Sequence, residues 1–315
     1  MVAMMQSIAL LMVGFVLLIK GADFFVEGSS SVARALRIPS MIVGLTIVAM
    51  GTELAVSVTA SVAGNNALAV SNVIGSNLFN LMFVCGACAL FAPLIVQKDT
   101  LKKEIPVSVL CAVLLFVLGI SGMEIGRTDG VILLLLFIGF LVWMVRSALK
   151  AHAASAEAED PSGEYKIYPA WKCILYIVGG AVAIKFGGDF VVDGASAIAV
   201  KAGLSQNLIG LTIVAMGTSL PEFVTSVVAA RKNEVDMAFG NVIGSNIFNI
   251  LFILGVTAAI SPVAFIMENV VDSILLVMVS ILVWVFAWSR LHIEKKEGVV
   301  LLALYAAYLV YICMR

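Results

Sequence analysis

GLTIVAMGT at residues 44–52, followed by Glu53 and by NVIGSN at 72–77, returns as GLTIVAMGTSLPE at 210–222 and NVIGSN at 241–246. Each copy sets one carboxylate and a group of amides and hydroxyls inside chain apolar enough to lie in hydrocarbon. The copies differ in one respect. Thr52 aligns with Thr218 at an offset of 166, whereas Glu53 aligns with Glu222, and Asn72 with Asn241, at an offset of 169. Three residues matching Ser219-Leu220-Pro221 are therefore missing from the first copy.

Working outward, 62% of the 315 residues are hydrophobic and only 12% are charged, and apolar stretches of bilayer length recur throughout. A spanning helix needs roughly 20 such residues. The sequence predicts an all-α polytopic membrane protein with ten spans, near 7–33, 39–63, 67–93, 105–122, 128–146, 168–199, 205–230, 236–260, 268–289 and 297–313. No Lys or Arg precedes the first apolar run, so it is expected to be a retained span and not a cleaved signal.

Fourteen of the nineteen Lys and Arg fall on one side of this scheme. Only Arg127, Lys201 and Arg315 lie opposite, and Lys20 and Lys185 lie within spans. The positive-inside rule then puts both termini outside the cytoplasm of a cell membrane, the inner membrane in a prokaryote. Five spans per copy is an odd number, so the second copy must enter the bilayer inverted. The expected organisation is a first five-helix repeat over 1–150, a cytoplasmic linker over 151–167 and a second, inverted five-helix repeat over 168–315. Inverted repeats bring their centres together near the bilayer midplane, where secondary transporters hold substrate.

Several polar features have plain structural readings. Cys85 and Cys88 form CxxC in mid-span without a redox context, where small residues suit close helix packing. His152 and His292 sit in distant loops without metal-ligand spacing, and the methionines form no recurring pairs with Cys or His. Lys20 is expected to neutralise Asp23, and Lys185 to neutralise Asp189, each on one helix face. Glu27 and Asp193 complete that acidic group on the first and sixth spans.

Glu222 has no such neighbour. Burying an ionised acid in hydrocarbon costs at least ~2.5 kcal/mol, so a function is expected to retain it. It follows Gly217-Thr218-Ser219-Leu220-Pro221, where Gly and Pro are expected to break the helix and free backbone carbonyls. Ser245 and Asn249 are four apart on one helical face, as are Ser76 and Asn80, with Gly75 and Gly244 expected to allow close approach. Carboxylate, carbonyl, hydroxyl and amide oxygens suit a hard cation such as Ca²⁺ or Na⁺.

GTSLPE followed by GNVIGSN resembles the paired motifs of the sodium/calcium exchanger family, prokaryotic type, within the cation/calcium antiporter superfamily. The resemblance implies exchange of Ca²⁺ for Na⁺ or H⁺ by alternating access, with the first and sixth helices moving against the others. Carried over by motif position, Glu53 and Glu222 would be the central carboxylates. Thr52, Thr218, Ser219 and the carbonyls of Ala49 and Ala215 would add oxygens, and Ser76, Asn80, Ser245 and Asn249 would complete the site.

Some relatives carry aspartate where Asn249 stands, so this chain offers two central carboxylates. The missing triplet makes Thr52 and Glu53 adjacent, ~100° apart if helical, whereas Thr218 and Glu222 are four apart. No catalytic residue, cofactor, nucleic acid or obligate protein partner is indicated; the expected partners are the transported ions and the lipid bilayer. The alternatives are a passive cation channel and an intramembrane aspartyl protease using Asp23 and Asp189, which lack the expected motif around them.

Overall fold

The computed structural model describes residues 2–35, 66–155, 168–203 and 215–314. Helix is the physical default here, because in lipid each backbone N–H and C=O must find its partner within the segment. α1 spans Val2–Ala35. α2, Asn66–Leu78, passes through a π-helical turn at Phe79–Val84 into α3, Cys85–Phe91. β1 (Leu94–Ile95), α4 (Ile105–Gly122), β2 (Glu124–Ile125) and α5 (Arg127–Ser155) follow.

The second half opens with α6, Ala170–Lys201. A single turn at Ala215–Gly217 precedes α7, Leu220–Arg231. α8, Val235–Phe248, passes through a further π-helical turn at Asn249–Leu254 into α9, Gly255–Ile260. β3 (Val263–Ala264), α10 (Met267–Arg290), β4 (His292–Ile293) and α11 (Lys295–Met314) complete the chain.

Eight helical stretches among the described residues are long and apolar enough to cross a bilayer. The second expected span, 39–63, lies outside the described residues, as does the start of the seventh. α5 runs on to Ser155, so the first residues of the expected linker are helical. The centre of the molecule is set by burial: the stretches Ala69–Phe91 and Met237–Ile260 are 83% and 78% buried, against 39% or less for the others. Outer helices present Leu135, Ile138, Ile174, Leu175 and Val178 to the surroundings, as lipid contact requires.

Contacts between the halves exchange under the sequence duplication. α1 and α6 pack antiparallel along a seam of glycines spaced by seven, with Gly14 on Gly187 and Gly21 on Gly180, while Gly28 meets Cys173 and Tyr176 and Gly194 meets Ser7 and Leu11. A Cβ at Gly21 would lie 2.9 Å from the Gly180 carbonyl oxygen, and one at Gly187 would lie 2.8 Å from that of Gly14. Backbones this close need the missing side chain. Two short ladders, absent from the sequence expectation, repeat the theme. β1 pairs with β4 (Leu94 with Ile293) and β3 with β2 (Val263 with Ile125), a swap at offsets of 169 and 168. Each ladder adjoins a left-handed residue that ends a helix, Met123 (φ 53°) or Leu291 (φ 60°).

The CxxC pair follows its structural reading: Cys85 and Cys88 are buried free thiols, and Gly86 between them packs on Gly298 of α11. Gly75 differs, since no described atom lies within 4 Å of where its Cβ would be.

Candidate cation site

The expected helix break is present. The turn Ala215–Gly217 ends at Thr218-Ser219, and α7 restarts at Leu220 with Pro221 in its first turn. Pro221 has no N–H, so the Gly217 carbonyl loses the donor a continuous helix would supply. Ser219 caps the restart through its backbone: its N–H donates to the Met216 carbonyl (3.2 Å), and its carbonyl accepts from the Phe223 N–H (3.1 Å). Thr218, Ser219 and Glu222 are all buried, Glu222 to 1% exposure.

Asn241 fastens Glu222 to the neighbouring helix. Its amide nitrogen donates to the Glu222 carbonyl (3.2 Å) and to the Ser226 hydroxyl (2.9 Å). Asn241, Ser245 and Asn249 succeed one another at four-residue spacing and so share a face of α8 and its π turn. The ring of Phe223, next to Glu222, lies 5.3 Å from that of Phe83 in the first π turn.

Four asparagines join the two copies at this level. Asn77 Nδ2 donates to the Asn246 carbonyl (3.2 Å), and Asn246 Nδ2 to the Asn77 carbonyl (3.3 Å). Asn80 Nδ2 donates to Asn246 Oδ1 (3.2 Å), and Asn249 Nδ2 to Asn77 Oδ1 (3.0 Å). All four are buried. The oxygens left over are the informative ones: Ser76 Oγ, Asn80 Oδ1, Ser245 Oγ and Asn249 Oδ1 are buried without a hydrogen-bond partner among the described residues. Buried polar atoms are normally satisfied, and these four hydroxyl and amide oxygens, orphaned among the described residues, fit a ligand that accepts lone pairs.

Of the expected site residues, Thr218, Ser219, Glu222, Ser245, Asn249, Ser76 and Asn80 lie on the broken helix and the two central helices. Ala215 begins the single turn that precedes the break. Ala49, Thr52 and Glu53 lie outside the described residues. Sequence reasoning missed Asn77, Asn241 and Asn246. Their recurrence in both NVIGSN motifs is the signal that marks them, since polar residues kept twice in apolar sequence need a partner.

The outer acids divide. Lys185 pairs with Asp189 at 2.8 Å as expected, but Asp23 pairs with Lys232 beyond α7, at 3.4 Å, and not with Lys20. Lys232 also reaches Glu27 (3.8 Å), and Arg34 pairs with Glu234. Glu27 accepts a hydrogen bond from the Tyr168 hydroxyl. These contacts latch one end of α1 to the end of α7.

Residues 6–146 and 172–314 match the family described as "Sodium/calcium exchanger protein". The chain belongs to the sodium/calcium exchanger family. This exchanger is 42% identical over 268 residues to the putative antiporter CaxA of Alkalimonas amylolytica, covering 82% of each chain. It is 30% identical over 338 residues to the sodium/calcium exchanger MaX1 of Methanosarcina acetivorans, covering 96% of this chain and 97% of that one. A solved structure of the sodium-calcium exchanger NCX_Mj, soaked with Na⁺ and Sr²⁺, superposes with a TM-score of 0.84 at 33% identity, covering 97% of this chain and 98% of that one. The protein is a multi-pass membrane transporter and not an enzyme. Neither a protease nor a passive channel is favoured by this membership.

Proposed function

We propose that the protein exchanges Ca²⁺ for Na⁺, with H⁺ as the alternative counter-ion, by alternating access to one site between its two repeats. Glu222, Thr218, Ser219, Ser245, Asn249 and the Ala215 carbonyl form one half of the site. Glu53, Thr52, Ser76, Asn80 and the Ala49 carbonyl form the other. The observation that carries this reading is the set of four orphaned oxygens, two from each copy, in a buried asparagine cluster. Support for Glu53 comes from spacing: 19 residues separate it from Asn72, as 19 separate Glu222 from Asn241, and Ser57 stands where Ser226 does.

The organisation we infer is ten spans in two inverted five-helix repeats, 1–150 and 168–315, with a cytoplasmic linker over 151–167 and both termini outside. The antiparallel run of the counterpart helices α1 and α6 supports it. Formal charge shapes the exchange. Two carboxylates balance one Ca²⁺ or two Na⁺, and an exchange at that ratio would move no net charge and draw nothing from the ~2.3 kcal/mol per charge that 100 mV supplies; a different ratio would.

Glu222→Gln keeps shape and removes the charge that offsets dehydration of a divalent ion. Ca²⁺ transport should collapse in a variant that remains monodisperse; unaltered Ca²⁺ transport in a well-folded Glu222→Gln protein would sink the site assignment.

A further inference from the structure

An amide side chain helps a cation only when it turns its oxygen toward the ion, since its NH₂ carries partial positive charge. Asn and Gln carry both groups on one flat head of nearly symmetric shape, so something must fix which is presented. For Asn80 and Asn249 the hydrogen-bond network fixes it, starting from backbone carbonyls that only accept. Because Asn246 Nδ2 donates to the Asn77 carbonyl, Asn246 Oδ1 is free to accept, and it takes the Nδ2 of Asn80. Because Asn77 Nδ2 donates to the Asn246 carbonyl, Asn77 Oδ1 takes the Nδ2 of Asn249. Each chain of bonds ends on an orphaned buried oxygen, Asn80 Oδ1 or Asn249 Oδ1.

We propose that Asn77 and Asn246 are positioning residues: each crosses to the other repeat and locks the amide of a site asparagine so that its oxygen faces the transported cation. The inference rests on the site reading given above. It deepens that reading by assigning the pair a role in affinity without contact to the ion. The locks are crossed, Asn77 on Asn249 and Asn246 on Asn80, so neither half-site is oriented without the other repeat. Residues that orient metal ligands in this way typically contribute about 10- to 100-fold to affinity.

The test is a rescue experiment on the purified full-length protein, reading equilibrium ⁴⁵Ca²⁺ binding and the Ca²⁺ KM of transport. Asn77→Ala should weaken Ca²⁺ by about 10- to 100-fold. A carboxylate at position 249 carries oxygen in both places and has no wrong orientation, so within an Asn249→Asp background Asn77→Ala should cost less than about threefold. A residue that merely packs the helices would cost the same in both backgrounds, and that result, or no loss in the native background, overturns the proposal. Should Asn77→Ala fail to fold, Asn246→Ala in native and Asn80→Asp backgrounds asks the same question of the other lock. In the unaltered protein, ¹⁵N-asparagine spectra should show the Asn249 NH₂ protected from exchange before and after Ca²⁺ addition; an NH₂ that exchanges freely in either state also overturns it. If the unaltered protein binds no Ca²⁺, the site reading itself falls. Normal binding that Asn77→Ala leaves unchanged removes only the orienting role.

Discussion

At the residue scale, the site trades stability for function. A buried hydroxyl with no partner costs about 1–3 kcal/mol of desolvation, and Ser245 carries one. Ser245→Ala should therefore leave the ion-free protein as stable as before, or more stable by roughly 1 kcal/mol, while reducing its Ca²⁺-dependent thermal stabilisation. Ion-free destabilisation with undiminished Ca²⁺ stabilisation would show that the hydroxyl serves packing. Much of this site was legible, because Glu222, Ser245 and Asn249 are polar residues in sequence that lipid would otherwise exclude. Asn77 and Asn246 show only through the repetition of NVIGSN, since their hydrogen-bond partners lie 169 residues away, beyond any local spacing rule. Asp23 makes the same point. The i,i+3 rule offers Lys20, but folding brings Lys232 from a distant helix end.

At the element scale, the broken helix before Glu222 followed directly from Gly217 and Pro221. The π turns did not. A π turn replaces one hydrogen-bond step with a longer one, and no residue type enforces it; those at Phe79–Val84 and Asn249–Leu254 carry Asn80 and Asn249 into the network, and another at Thr100–Glu104 leads into α4. The two-residue strands were equally hidden, being too short to show any alternation. The shortened first cassette gives the sharpest prediction at this scale. Inserting Ser-Leu-Pro between Thr52 and Glu53 restores a proline break and the four-residue Thr to Glu spacing. The insertion variant should bind Ca²⁺ more tightly and transport faster than the natural chain. A lower flux in a stably folded variant would instead mark the short cassette as having its own coordination geometry, and would remove Glu53 from the site as drawn.

At the scale of the whole molecule, the glycine seam, the asparagine network and the strand ladders each map onto themselves when one copy is exchanged for the other. The duplication is the sequence feature behind this relation, and the contacts that express it are tertiary. Orientation is testable on α5, whose ends at Arg127 and Ser155 are about 40 Å apart at 1.5 Å per residue. Single cysteines at Gly126 and Ser155 in a cysteine-free background should label from opposite sides of the membrane, with Ser155 cytoplasmic. Labelling from one side would break the five-plus-five arrangement.

The account stands most directly on coupling between ions, because opposing cations that share one carboxylate site must drive each other. ⁴⁵Ca²⁺ uptake into proteoliposomes under imposed Na⁺, H⁺ or K⁺ gradients measures it. Uptake should rise steeply with an outward Na⁺ gradient and fall to background when an ionophore dissipates that gradient. Ca²⁺ entry that proceeds equally well under every counter-ion gradient, or under none, would contradict antiport.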